Sequence, residues 1–157
     1  MTGVQTCALP ILNLNRYIEK VKRNSIGYTN ENQLTVINNV PDSAFVNFNK
    51  AYLESVLLNF ATNALKYAHN DRLPVVQFDF LIENGRKVLE IKDNGLGIDL
   101  ERHGNSLFGL YKTFHQHKDA KGFGLYISKY QIEAMNGKVT VESKVGEGTI
   151  FKIHFED

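Results

Sequence analysis

The chain has 157 residues, 43% of them hydrophobic and 22% charged, with 18 basic against 17 acidic side chains. This is enough for one domain with its own core, too apolar for a disordered chain, and too evenly charged to point to nucleic acid or an anionic membrane surface. No run approaches the ~20 apolar residues of a membrane span, and a lone cysteine, Cys7, can form neither an internal disulfide nor a thiolate cluster, so the expected class is a cytoplasmic, monomeric domain.

Residues 1–11 (MTGVQTCALPI) carry no charge and no periodicity. The string matches the translation of a short-read sequencing adapter, so the native domain is expected to run over residues 12–157, as a piece of a longer protein. Residues 12–22 have apolar side chains at 14, 17, 18 and 21, a helical spacing. Residues 33–40 and 44–48 are short β-prone runs on either side of Pro41-Asp42. The strongest helix spans 49–67, with apolar residues at 53, 56, 57, 60, 61, 64 and 65 and Asn49 as its N-cap. Strands 75–82 and 87–92 flank Asn84-Gly85, a pair suited to a type I′ hairpin turn. After a long polar loop, 124–135 is helical again and stops at Asn136-Gly137. Strands 139–143 and 149–155 enclose Gly146-Glu147-Gly148. The strands come as antiparallel hairpins rather than βαβ crossovers, so the expected fold is an α+β two-layer sandwich with a mixed, mostly antiparallel sheet covered by helices on one face.

Three short segments stand out chemically. Asn59, Asn63 and Lys66 share one edge of the long helix among apolar neighbours. Two amides there either bond to a nearby loop or hold a hard cation and phosphate-bound water. Asp93-Asn94-Gly95-Leu96-Gly97 ends a strand; it is either an ordinary turn or a close approach to a flat ligand, with a carboxylate able to accept from an exocyclic amine. Lys121-Gly122-Phe123-Gly124-Leu125 opens a helix, where free backbone N–H groups favour an anion.

Taken in order, NFATNALKY (59–67), DNGLG (93–97), GFGLYI (122–127) and GEGT (146–149) resemble the N box and the three glycine boxes of the GHKL ATPase superfamily. Within it the chain is most similar to the ATP-binding catalytic domains of sensor histidine kinases, in the style of PAS-containing kinases of Bacteroidetes. The resemblance implies that ATP and Mg²⁺ bind here. Asn63 matches the Mg²⁺-binding amide, Asn59 the amide beside the phosphates, Lys66 the basic residue reaching them, and Tyr67 an aromatic lining the nucleotide. Asp93 matches the carboxylate that bonds adenine, in a pocket shaped by Gly95 and Gly97. Gly122, Gly124 and Leu125 match the hinge of a lid, Thr149 lies in the third box, and Lys121 is the lid residue expected at the γ-phosphate. The lid aromatics read either as Phe108 with Tyr111 or as Tyr111 with Phe114.

Hydrolysing GHKL relatives carry a Glu where Asn59 stands. An amide cannot act as a general base for water, whereas a neutral imidazole acceptor needs none. The resemblance therefore implies phosphotransfer to a histidine on a dimerisation domain absent from this chain, which alone should be nearly inactive, and onward to a response regulator. His69-Asn70-Asp71-Arg72-Leu73-Pro74 mimics the acceptor motif but follows the long helix directly and reads as a loop. His115 and His117 read as solvated lid residues, and His154 as solvent-facing. Two other readings compete: a serine kinase of the anti-sigma type, and an interaction module whose lid is blocked by Phe123 and Tyr126.

Overall fold

The structure is a computed structural model that describes residues 9–25, 34–104, 107–108 and 123–156. In chain order the elements are β1 (Ile11–Asn13), α1 (Leu14–Ser25), β2 (Thr35–Asn38), β3 (Phe45–Asn47), α2 (Lys50–Lys66), β4 (Val75–Glu83), β5 (Arg86–Asp93), α3 (Leu100–His103), α4 (Phe123–Ala134), β6 (Lys138–Lys144) and β7 (Gly148–His154). Five strands form one sheet in the order β2-β4-β5-β7-β6, and β1 pairs with β3 in a small separate sheet.

Local chemistry accounts for most boundaries. Asn49 caps α2 by accepting the Tyr52 N–H at 3.0 Å. Asn84 (φ 52°) and Gly85 (φ 78°) make the β4–β5 turn in the left-handed region that the type I′ geometry requires. Asn136 (φ 61°) ends α4, and the Gly137 N–H returns to the Ile132 carbonyl at 2.9 Å.

Alternation puts Val76, Phe78, Leu89, Ile91, Phe151 and Ile153 on the inner sheet face, all buried. Helices α1, α2 and α4 lie side by side over that face, α2 in the middle. Leu14, Ile18 and Val21 point inward from α1, Leu53, Leu57, Phe60 and Ala64 from α2, and Leu125 and Ile132 from α4. Phe60 meets Phe151 with ring centroids 4.8 Å apart, and Phe48 meets Phe155 edge-on at 5.7 Å.

Three expectations are revised. The first helix starts at Leu14, because residues 11–13 extend along β3 (Ile11 opposite Asn47) and the Pro10 carbonyl accepts the Phe48 N–H. The second short strand pairs with β1 and not with β2. The sheet is mixed and mostly antiparallel, as expected: β2 runs parallel to β4, since the chain between them includes all of α2 and returns in the same direction. His154, expected to face solvent, is half-buried on the outer sheet face with its ring 3.0 Å from the Thr140 hydroxyl, and burial holds its pKa below the ordinary value. Among the described residues no helix is long and apolar enough to cross a membrane.

Candidate functional site

A small cleft opens between α2, the end of β5 and the start of α4. Asn63, Tyr67, Asp93, Gly97, Ile98, Leu125, Thr149 and Phe151 line it. Six of these eight were expected from the sequence. Ile98 and Phe151 were not, although the inward alternation of β7 places Phe151 beside Thr149.

The two amides of α2 divide between the two readings open in the sequence. Asn59 donates from Nδ2 to the Ser128 hydroxyl at 3.1 Å and to the Gly124 carbonyl at 3.4 Å, so it ties α2 to the first turns of α4. Ser128 is fully buried there. Asn63 is different: its Nδ2 is buried and has no hydrogen-bond partner among the described residues. Turning the amide over would exchange nitrogen for oxygen in the same place. A buried amide left in this state costs stability unless something else pairs with it.

Asp93 closes β5 opposite Thr149 of β7. Burial pushes its carboxyl above the usual carboxylate value, while N–H groups of Gly95 and Thr149 pull the other way; the Gly95 N–H lies 2.9 Å from Oδ1. Burial also raises the Tyr67 phenol.

The turn after Asp93 is held from three sides. The Leu96 N–H donates to the Tyr67 carbonyl at 2.9 Å, and the Gly146 N–H to the Leu96 carbonyl at 2.7 Å. Arg72 donates to the carbonyls of Asn94 (2.6 Å), Gly95 (3.2 Å) and Gly146 (2.6 Å). Asn94 in turn accepts from the Val75 N–H and donates to the Leu73 carbonyl, both at 2.9 Å. The 69–74 segment is thus a loop, as its sequence context suggested, and it clamps the site. Two glycines are sterically required: a Cβ at Gly95 would lie 2.5 Å from the Tyr67 carbonyl oxygen, and one at Gly97 (φ 74°) would collide with the Lys144 carbonyl. Gly124 has no such constraint; its nearest contact would be Asn59 at 3.7 Å.

Lys66 is not gathered into this cleft. It ends α2 exposed and lines a neighbouring polar groove with His69, Asp71 and Arg72. Gly95 lies buried behind the wall, and Asn59 and Gly124 adjoin the cleft through α4. Lys121 and Gly122, with Tyr111, Phe114, His115 and His117, lie outside the described residues. Phe108 packs edge-on against Phe151 at 6.3 Å. Tyr126 is 43% exposed and is not among the cleft-lining residues. Sequence reasoning missed Ser128, Ser143 and the clamping role of Arg72; the spacing Leu125, Ser128, Ile132 on one face of α4 was the signal for the first.

Comparison with known proteins bears on the family and the fold. Residues 49–157 match the family described as histidine kinase-, DNA gyrase B-, and HSP90-like ATPase. The chain is 29% identical over 145 residues to the heme sensor protein HssS of Staphylococcus saprophyticus, covering 92% of this chain and 31% of that protein. It is also 29% identical over 151 residues to the sensor protein kinase WalK of Staphylococcus aureus, covering 88% and 23%. It therefore spans only about a quarter to a third of these relatives. Among solved structures, the catalytic domain of histidine kinase ThkA superposes with a TM-score of 0.77 at 18% identity, covering 93% of both chains. The mycobacterial sensor histidine kinase MprB gives 0.73 at 19%, covering 93% of this chain and 97% of that one. The fold is that of the histidine kinase catalytic domains, and the chain belongs to the family of histidine kinase-, DNA gyrase B- and HSP90-like ATPases.

Proposed function

We propose that the cleft binds ATP with Mg²⁺, and that the chain is the ATP-binding catalytic part of a two-component sensor histidine kinase. The observation that carries this reading is the pairing, in one apolar cleft, of a half-buried Asp93 carboxyl with an Asn63 amide whose nitrogen has no partner among the described residues. The carboxylate suits the exocyclic amine of adenine, and Ile98, Leu125 and Phe151 offer the base an apolar bed. An amide oxygen is a hard donor suited to Mg²⁺, so the residues present fit that ion: Asn63 would hold it, with Asn59 beside the phosphates. Bound Mg²⁺ would supply charge neutralisation at the phosphates. Lys66, in the groove beside the cleft, and Lys121 would add cationic charge.

Transfer rather than hydrolysis follows from what α2 lacks. Phosphoryl transfer needs positioning and charge neutralisation, and water as the acceptor needs a group to orient or deprotonate it. Asn59 occupies that place, and its amide, bonded to Ser128, takes no proton. An imidazole brings its own lone pair. The acceptor would be a histidine on a dimerisation domain outside this chain, with a response regulator receiving the phosphoryl group afterwards. Tyr126, one of the two side chains on which the interaction-module reading rests, is exposed and does not line the cleft.

The test is transfer to a supplied acceptor. Residues 12–157 are fused behind the histidine-bearing dimerisation hairpin of a related kinase and given γ-labelled ATP. Acid-labile label on the hairpin, absent from the unfused chain, is the expected result. Acid-stable label would support the serine-kinase reading, and label on the unfused chain would bring His69 back as an acceptor.

A further inference from the structure

We propose that Ser143 fixes the hydrogen-bond polarity of the cleft, so that Thr149 can only accept, and that this selects a purine with an amino group at C6 over one with a 6-oxo group. The inference rests on the adenine-nucleotide reading and adds the residue that enforces it.

A serine hydroxyl has one proton and two lone pairs. Ser143 Oγ has three partners. The Ile98 N–H donates to it at 2.7 Å. It lies 2.9 Å from the Gly148 carbonyl, which can only accept, so a bond between them must use the serine proton. Thr149 Oγ1 sits 2.7 Å away on the next strand. With the serine proton directed at Gly148, the bond between the two hydroxyls must use the proton of Thr149.

Thr149 lines the cleft at 5% exposure. Once its proton points at Ser143, it offers the cleft lone pairs alone. Asp93, its cross-strand partner, likewise only accepts when ionised. Two neighbouring acceptors match a ligand edge that donates, as a 6-amino group does with its two N–H bonds. A 6-oxo group would set lone pairs against lone pairs. Sites of this kind discriminate strongly, because the wrong ligand leaves buried polar groups unpaired.

The test measures ATP and ITP binding to the chain by calorimetry, with Mg²⁺ present. The native protein should prefer ATP. In Ser143→Ala the Thr149 proton is free to turn toward a 6-oxo group, and the ratio of ITP to ATP dissociation constants should fall by at least about fivefold, the worth of one ordinary hydrogen bond. Ser143→Thr, which keeps the hydroxyl, should restore the native ratio. In a Thr149→Val background, Ser143→Ala should leave the ratio unchanged. Thr149→Val alone, an independent reading, should weaken ATP more than ITP. Equal weakening of both nucleotides in either single variant, or an undiminished effect of Ser143→Ala without the Thr149 hydroxyl, would overturn the assignment. A native chain that prefers ATP while the ratio stays fixed in Ser143→Ala overturns the role of Ser143 alone. A native chain that binds neither nucleotide overturns the adenine reading and this inference with it.

Discussion

Replacing Gly95 by alanine should damage the fold and the site together. The added Cβ would lie 2.5 Å from the Tyr67 carbonyl oxygen and 3.3 Å from its carbon, both backbone atoms at the end of α2. Neither can swing aside as a side chain would, so the turn itself must shift. The same carbonyl accepts the Leu96 N–H, and the Gly95 N–H orients Asp93. Overpacking of this kind costs about 1–3 kcal/mol, and weakening one backbone hydrogen bond adds about 1 kcal/mol. A loss of about 2–4 kcal/mol lowers the melting temperature of a domain this size by roughly 5–15 °C. Thermal and urea unfolding of the apo chain measure it, with Gly124→Ala as the comparison. That position has ordinary contacts only, so its melting temperature should stay within roughly 2 °C of native. Equal behaviour of the two variants would refute the close-approach reasoning.

Asn63→Leu removes an amide whose buried nitrogen has no partner among the described residues. The apo chain should gain about 1–2 kcal/mol in urea unfolding while losing its stabilisation by Mg-ATP; a destabilised variant that still binds would contradict the assigned role. Because burial raises the Asp93 pKa, the folded chain keeps this proton at a pH where the unfolded chain has released it. The buried charge therefore costs stability above the folded pKa, and the cost disappears as pH falls through that value. Native stability measured against Asp93→Asn should thus rise as pH drops from 7 into the carboxylate range, and a fall would show that the charge is stabilised in place. Arg72→Lys should cost about 1 kcal/mol and weaken nucleotide binding, since one ammonium cannot reproduce the fork that spans Asn94, Gly95 and Gly146. Unchanged binding with unchanged stability would remove Arg72 from the site.

What the sequence disclosed was local. The Asn49 cap, the Asn84-Gly85 turn and the Asn136-Gly137 stop each depend on a few adjacent residues, and each sits where those residues put it. The inward stripe of α2 and the alternation of β7 fixed which faces are buried. The misses were long-range. β1 is three residues long and is a strand only because β3 lies alongside it, more than thirty positions later. The parallel register of β2 on β4 depends on where α2 packs. The same division holds for the cleft. Asp93 and Asn63 stood out by residue type and spacing and Thr149 only through the family resemblance, whereas Arg72 acts through backbone carbonyls up to 74 positions away, which leave no trace in composition or period. The divergence of Asn59 from Asn63, one satisfied by Ser128 and one not, was invisible for the same reason: α4 decides it.

The most direct test of the central claim is a thermal-shift titration of residues 12–157 with Mg-ATP, Mg-ADP and Mg-GTP. A ligand at ~100 times its Kd adds about 2.7 kcal/mol of stability, well within reach of the method. The account predicts stabilisation by both adenine nucleotides and not by GTP, and its loss in Asp93→Asn. A well-folded chain that shows no shift with any of the three at millimolar concentration, or that is stabilised equally by GTP, would contradict it.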